Sequence, residues 1–313
     1  MPDKITIVMP AYNAEPFVED AVRSALTQTY PDFELIVVDD NSNDRTKDVV
    51  ASISDSDPRV MLICCEQTGG PGRARNHGLG AASGSWIALL DADDIYASDH
   101  LETLLRAGKA HDCDMVAGNQ LLRAFPGEED LGLAFPELTE TRELTLNGLV
   151  TSGLTPGTAL SYGFLKPLIS RQFIATHQIR YDENRRVGED FLFYFDCMSR
   201  RAKCLLIPQA SYIYRRRNES LTLSDANNYR ILSDLTGQII KESKHSASDE
   251  LIGLLEERKK YLDEQSMYVE TVSLLRQRRF LRGAQRMIAR PRIGARLAGK
   301  AIGKLGWAGR SKN

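Results

Sequence analysis

The chain has 313 residues, 42% of them apolar and 26% charged, and a formal net charge of −2. This is ordinary globular composition with no apolar run near the length of a membrane span, and it excludes collagen-like, mucin-like and wholly disordered chains. The small total hides an asymmetry: residues 1–275 hold 28 Lys/Arg against all 42 Asp/Glu, whereas residues 276–313 hold 12 Lys/Arg and no acid. Such a basic block points to an anionic surface.

In chain order, Ile5 to Met9 is a β-branched run that predicts a strand, stopping at Pro10, which cannot donate to a ladder. Phe17, Val18, Ala21, Val22, Ala25 and Leu26 fall at helical spacing and predict a helix to about Thr29. Phe33 to Val38 predicts a second strand, ending at Asp39-Asp40. Asn41, Ser42 and Asp44 then offer capping oxygens for a helix to about Ile53. Val60 to Cys64 predicts a third strand. The turn Gly69-Gly70-Pro71-Gly72 leads into a helix carrying Arg73, Arg75 and Asn76. Trp86 to Leu90 predicts a fourth strand, ending at Asp91-Ala92-Asp93-Asp94. Residues 121–160 read as loop-rich, 165–220 as mixed with a strand at Cys204 to Pro208 and a helix from about Asp190 to Arg200, and 226–285 as helical.

Repeated strand–helix units with short apolar strands imply an α/β fold, a parallel sheet with helices on both faces. Ligands bind beyond the carboxyl ends of such strands. Polar residues collect at three of those ends: Pro10 to Asn13, Asp39-Asp40 and Asp91 to Asp94. Asp91 and Asp93 have the spacing to share a hard divalent cation and a sugar hydroxyl. Gly188-Glu189-Asp190 precedes Phe191, Leu192 and Phe193. This acidic pair either favours the helix dipole or supplies a general base on a packed helix. Arg73 and Arg75 beside a glycine turn suit phosphate, although no dinucleotide fingerprint or Walker A sequence is present. Arg215-Arg216-Arg217 is either a solvated strand end or an anion contact. The five cysteines form no C-x-x-C pair and read as reduced thiols. The N-terminus lacks the basic and apolar regions of a signal peptide, which reads as cytoplasmic.

The blocks Ile5–Asn13, Phe33–Ser42, Leu89–Asp94 and Gly188–Asp190, in this order, resemble the family 2 glycosyltransferases over roughly residues 4–220. The resemblance implies a GT-A fold, α/β and Rossmann-like, with a mainly parallel sheet flanked by helices and a C-terminal helical extension. The expected organisation is a glycosyltransferase domain over 1–220 (nucleotide-sugar half 1–120, acceptor half 121–220), a helical extension over 221–285 and a basic amphipathic tail over 286–313. The resemblance implies an inverting enzyme using a nucleotide sugar, with Mn²⁺ or Mg²⁺ as cofactor. Carried onto the matching positions, Pro10, Tyr12 and Glu15 line the nucleotide pocket. Asp40, or else Asp39, accepts a hydrogen bond from the base, and Arg75 lies near the base or diphosphate. Asp91, with Ala92 beside it, holds ribose or donor sugar, Asp93 binds the metal, and Asp190 is the catalytic base. Glu189 and Arg215 are candidate diphosphate or acceptor contacts.

Processive relatives carry membrane helices and a Gln-x-x-Arg-Trp motif, and Gln277-Arg278-Arg279-Phe280 is not that motif, so addition of a single sugar is expected. The stretch from Leu165 to Ser220 is similar to bacterial exopolysaccharide glycosyltransferases of the succinoglycan type. That similarity implies glucose transfer from UDP-glucose to a lipid-linked oligosaccharide. In the basic segment, Arg282, Arg286 and Arg290, then Arg292, Arg296, Lys300 and Lys304, recur at four-residue spacing. An apolar row of Ile293, Leu297, Ala301 and Leu305 lies beside them. Residues 276–313 therefore read as an interfacial helix for anionic headgroups, or as a solvated tail, and the expected place is the inner face of the cell membrane. The alternative is a non-catalytic, membrane-docking scaffold that binds nucleotide sugars. Nucleic-acid binding lacks a motif and aromatic interleaving, and a sugar-nucleotide pyrophosphorylase would need a glycine-rich, arginine-containing N-terminal signature that is absent.

Overall fold

The structure, a computed structural model, describes residues 3–154, 160–217 and 225–277. The chain divides into two compact units, Met1–Glu219 and Ser220–Asn313.

The first unit is built on a mixed sheet. β1 (Ile5–Ala11), β2 (Phe33–Asp39), β3 (Val60–Cys64) and β4 (Trp86–Leu89) are mutually parallel in the order β3-β2-β1-β4. β1 runs two residues past its expected end. Val8 O accepts from Leu90 N on the β4 side, and Ala11 O accepts from Asp40 N on the β2 side, so alternate residues bond to opposite neighbours. Pro10 shares the parity of Val8 and faces β4 beyond Leu89, where the ladder has ended and no N–H is needed.

Helices cover both faces. α1 (Val18–Leu26) buries Val18, Ala21, Val22 and Ala25 at helical spacing against Ile5, Ile7 and Met9. α4 (His100–His111) adds Leu101, Leu104 and Leu105 to the same core, and α2 (Thr46–Ser54) adds Val50. On the opposite face α3 (Pro71–Ala81) packs on β1 and β2. Its Gly78 permits that approach, because a Cβ there would lie 2.4 Å from Val8 Cγ1.

The second half of the sheet departs from the parallel expectation. β6 (Met115–Phe125) and β10 (Cys204–Arg217) are parallel to each other, and the short β9 (Leu168–Ser170) is antiparallel to both β4 and β6. β5 (Ile95–Tyr96) closes against β10, β7 (Asp130–Leu133) against β6 and β8 (Arg142–Leu144) against β10, all antiparallel. The region expected to be loop-rich thus contributes strands and a short helix, α5 (Leu146–Thr151). β10 continues past the expected end at Pro208 because a register shift between Ile207 and Ala210 takes the proline out of the ladder. A 3₁₀ turn (Tyr162–Phe164) and α6 (Arg171–Thr176) flank β9, and α7 is Glu189–Ser199.

In the second unit, α8 (Ala226–Ser243) and α9 (Asp249–Arg276) form an antiparallel hairpin. Ser266 Oγ donates to Ala226 O, and Ser233 Oγ donates to Asp263 at 2.6 Å, so opposite ends of the helices meet. Leu235, Ile239, Leu255 and Leu262 are buried, and Asp225 and Ser248 cap the two N-termini. The region expected to be helical over 226–285 thus holds two helices, joined at residues 244–248, and the basic tail beyond Gln277 lies outside the described residues. Among the described residues no helix is long and apolar enough to cross a membrane.

Candidate active site

The carboxyl ends of β2, β1 and β4 lie side by side, which gathers the three polar strand ends. The first two are tied together. Asn13 N donates to Ser42 Oγ at 3.0 Å, and Asn13 Oδ1 accepts from Asn43 N at 2.8 Å. Asp39 accepts from Ser42 N and from Ser42 Oγ. Glu15 accepts from Arg45 N at 3.1 Å and Arg45 Nε at 2.7 Å. Those bonds from Arg45 hold its carboxyl below the usual range. Tyr12, 48% exposed, follows half-buried Pro10 and buried Ala11 at this edge.

Asp40 is buried and accepts from Gly69 N at 2.8 Å and Gly70 N at 2.7 Å. It thereby orders the turn that starts α3. Gly70 sits at φ +89°, which favours glycine, and Pro71 occupies the first helical turn. α3 then carries Arg75 inward. Arg75 is only 2% exposed, and its guanidinium reaches three carboxylates: Asp91 Oδ1 at 2.8 Å, Glu189 Oε1 at 3.1 Å and Asp190 Oδ1 at 3.2 Å. It also lies over the Tyr181 ring at 5.3 Å.

Asp91 meets a second cation that sequence reasoning missed. Lys166, 5% exposed, places Nζ 2.8 Å from Asp91 Oδ2 and 2.8 Å from Asp190 Oδ2. Burial pushes the Asp91 carboxyl upward, but Lys166 and Arg75 outweigh it and hold it well below the usual range. Asp91, Arg75, Asp190 and Lys166 thus form a closed ring of alternating charge. The sequence did carry one signal for Lys166, a lone cation in the apolar run Phe164-Leu165-Lys166-Pro167-Leu168-Ile169.

Carboxylate oxygens of Asp91, Asp93 and Asp94 lie within 4.8 Å of one another. Asp94, 1% exposed, accepts from Tyr212 Oη at 2.6 Å and Arg215 N at 2.9 Å. Burial pushes its carboxyl well above the usual range, and the charges of Asp93 and Asp91 act in the same direction. Three converging acids in an all-oxygen set fit a hard divalent cation such as Mg²⁺ or Mn²⁺. Asp93 and Asp91 are half-buried, and Asp94 supports the cluster from beneath.

Two expected contacts are placed elsewhere. The Ala92 side chain belongs to the apolar core, so only its backbone is left to face a ligand. Arg215 donates from Nε to Asp93 O at 2.5 Å, from Nη1 to Asp20 Oδ2 at 3.1 Å and from Nη2 to Phe17 O at 3.2 Å. It lies 5.5 Å over each of the Phe17 and Phe125 rings. It clamps the acidic turn from inside the fold rather than presenting a cation for a diphosphate or acceptor. β10 delivers it there, just past its bulge.

Asp190 stands in the first turn of α7, after Gly188 at φ +80°. Phe191, Phe193, Tyr194, Phe195, Cys197 and Met198 bury the helix and fix that turn. Glu189, beside it, has its carboxyl pushed up by burial and by the charge of Asp190, and pairs with Arg75.

The model of the family described as "Glycosyl transferase family 2" matches residues 6–148. The succinoglycan biosynthesis protein ExoO of Rhizobium meliloti is 36% identical over 222 residues, which is 71% of this chain and 63% of that protein. The chain thus spans less than two thirds of ExoO. An uncharacterized glycosyltransferase of Haemophilus influenzae is 30% identical over 67% of this chain and 78% of its own length. An Escherichia coli protein named as the UDP-Glc:alpha-D-GlcNAc-diphosphoundecaprenol beta-1,3-glucosyltransferase WfgD is 40% identical over 37% of this chain and 45% of its own. S. aureus TarS residues 1–349 with UDP-GlcNAc matches the fold with TM-score 0.60 at 20% identity, covering 85% of this chain and 70% of that one. The mannosyltransferase PcManGT from Pyrobaculum calidifontis, with GDP-Man and Mn²⁺, has TM-score 0.58 at 15% identity, covering 96% of this chain and 86% of its own. On this sequence similarity and shared architecture, the chain belongs to glycosyl transferase family 2.

Proposed function

We propose that the protein is an inverting, non-processive glycosyltransferase that moves one sugar, glucose from UDP-glucose, to a lipid-linked oligosaccharide in exopolysaccharide synthesis. The observation that carries this reading is the ring that joins Asp91 at the end of β4 to Asp190 at the start of α7, beside the three-carboxylate cluster. In this reading Asp91 is the donor-side acid and Asp190 the proton acceptor, and their closeness in the ring supports it. The similarity to ExoO, a succinoglycan biosynthesis protein, and to WfgD, named for glucose transfer from UDP-Glc to a diphosphoundecaprenol-linked sugar, supports the pathway, donor and acceptor class.

In this reading Tyr12 and Pro10 form the edge on which the uracil lies, and Asp39 and Asp40 shape the loops around it. Asp40 acts through the Gly69 and Gly70 amides, so its contribution to the nucleotide is largely the geometry of the turn. Asp91 faces the ribose or the sugar. Asp93, with Asp91 and Asp94, would hold a divalent cation, which when bound supplies charge neutralisation for the leaving diphosphate. The reaction is one displacement. The acceptor hydroxyl gives its proton to Asp190 as its oxygen bonds to the anomeric carbon. The bond from that carbon to the diphosphate breaks, and its electron pair leaves with UDP. The basic segment 276–313 would bring the enzyme to an anionic membrane face that presents the acceptor.

Nucleotide release measured over a panel of sugar nucleotides, with and without Mn²⁺, and with lipid-diphosphate-linked saccharide as acceptor, tests this function. UDP release from UDP-glucose that depends on both metal and acceptor is expected. Silence with every donor would favour the non-catalytic scaffold.

A further inference from the structure

We infer that Lys166 is the positioning residue of the reaction: it fixes one oxygen of Asp190 so that the other is presented to the acceptor hydroxyl. The inference rests on the transferase reading above.

Lys166 is not a surface cation that strays into the site. Leu165, Pro167, Leu168 and Ile169 around it are buried. The backbone before it is pinned from two sides. Gln120 Nε2 on β6 donates to Phe164 O at 2.8 Å, and Tyr194 Oη donates to Leu165 O at 2.6 Å. Tyr194 lies on α7 one turn after Asp190, so the element that carries the base also holds the segment that carries Lys166. A buried lysine is unfavourable unless its charge is met. Here Asp190 and Asp91 meet it and raise its pKa above the ordinary lysine value despite the desolvation.

The two oxygens of Asp190 are not equivalent. Oδ2 accepts from Lys166 Nζ at 2.8 Å. Oδ1 is buried, accepts no hydrogen bond among the described residues and lies 3.2 Å from Arg75 Nη1 without hydrogen-bond geometry. Two further orphaned buried atoms, Tyr181 Oη and Arg75 Nε, belong to residues packed on each other beside it. Buried polar atoms left unpaired are costly and mark a place that awaits a partner. Among the described residues the bond from Lys166 is the one hydrogen bond that the Asp190 carboxylate accepts. Without it the carboxylate is oriented by the ion pair to Arg75, which lacks hydrogen-bond geometry, and misplacement of about 1 Å is worth about 10²-fold in rate.

The test is a double-variant cycle on the full chain, with UDP-glucose, Mn²⁺ and lipid-diphosphate-linked saccharide as probes. Lys166→Met should lower kcat about 10²-fold and change the KM for UDP-glucose less than about threefold. On an Asp190→Asn background the same substitution should cost less than about threefold, because its effect runs through Asp190. Lys166→Arg, which keeps the cation, should recover at least about tenfold of the loss. A Lys166→Met loss that persists in full on the Asp190→Asn background, or that falls in KM alone, would overturn the inference while leaving the transferase reading intact. If wild type releases UDP and Lys166→Met matches it, the inference alone fails. If wild type releases no nucleotide from any donor, both fail. Should Lys166→Met prove unfolded, the comparison of Asp190→Asn with the double variant decides by the same criterion.

Discussion

Replacing Arg75 by Met isolates the energetics of the buried ring. Arg75 faces Asp91, Glu189 and Asp190 at 2.8, 3.1 and 3.2 Å, and Lys166 supplies the other cation. The variant leaves three closely set carboxylates with one cation, in a site where Arg75 and Lys166 are almost wholly buried. Removing one partner of a buried pair typically costs about 3–5 kcal/mol, because the charge left behind stays desolvated. Methionine keeps the aliphatic stem of the arginine, so the packing loss is confined to the space the guanidinium leaves, and the triple variant, which leaves the same space, isolates the charge contribution. Urea unfolding at pH 7, read from Trp86 fluorescence in a Trp307→Phe background, reports on the first unit. We expect a loss of about 3–5 kcal/mol, and recovery of a large part when Glu189→Gln and Asp91→Asn are added. A loss below about 1 kcal/mol, or a triple variant no more stable than Arg75→Met, would refute the charge argument. The triple variant also separates stability from function, since it refills the charge balance without restoring the ring.

Two further predictions follow from single residues. Asp40→Ala should cost about 3 kcal/mol by urea unfolding, since it strips the Gly69 and Gly70 amides of a charged acceptor, and Asp40→Asn should cost about half as much. Equal stability to wild type would show that water replaces the carboxylate. His100 is held neutral, its imidazole pushed down to about 3 by burial, whereas the unfolded chain titrates near 6.5. Protons therefore bind the unfolded state preferentially below pH 6.5, and stability is lost as pH falls from there towards 3. Between pH 7 and pH 5 wild type should lose about 2 kcal/mol more than His100→Gln, and identical pH slopes would contradict this.

Much of the donor half was legible because its signals are local. The β-branched runs at Ile5 and Phe33, the apolar spacing of α1 and the acids after Leu90 each declare themselves within ten residues. The acceptor half was not, because its elements are satisfied at long range. β6 contains Asn119 and Gln120, both fully buried, and polar residues in the middle of a strand give no local strand signal. Asn119 is satisfied by Phe135, whose N donates to Oδ1 and whose O accepts from Nδ2. β9 is three residues long and exists only between β4 and β6, more than 40 residues away on either count. Arg215 illustrates the opposite failure. A triple-arginine run reads as a solvated strand end or an anion contact, but its first member is buried and bonds to the backbone of Asp93. Lys166 was visible as a charge out of place, although its two partners lie 75 and 24 residues away.

The central claim is that Asp190 takes the proton of the acceptor, and Asp190→Asn tests it most directly. Nucleotide release in a single turnover, with UDP-glucose, Mn²⁺ and lipid-diphosphate-linked saccharide, should fall about 10²–10⁴-fold in this variant. UDP binding measured by calorimetry on the same preparation should stay within about threefold. Turnover at the wild-type rate would contradict the claim, and so would a loss matched by an equal loss of UDP affinity.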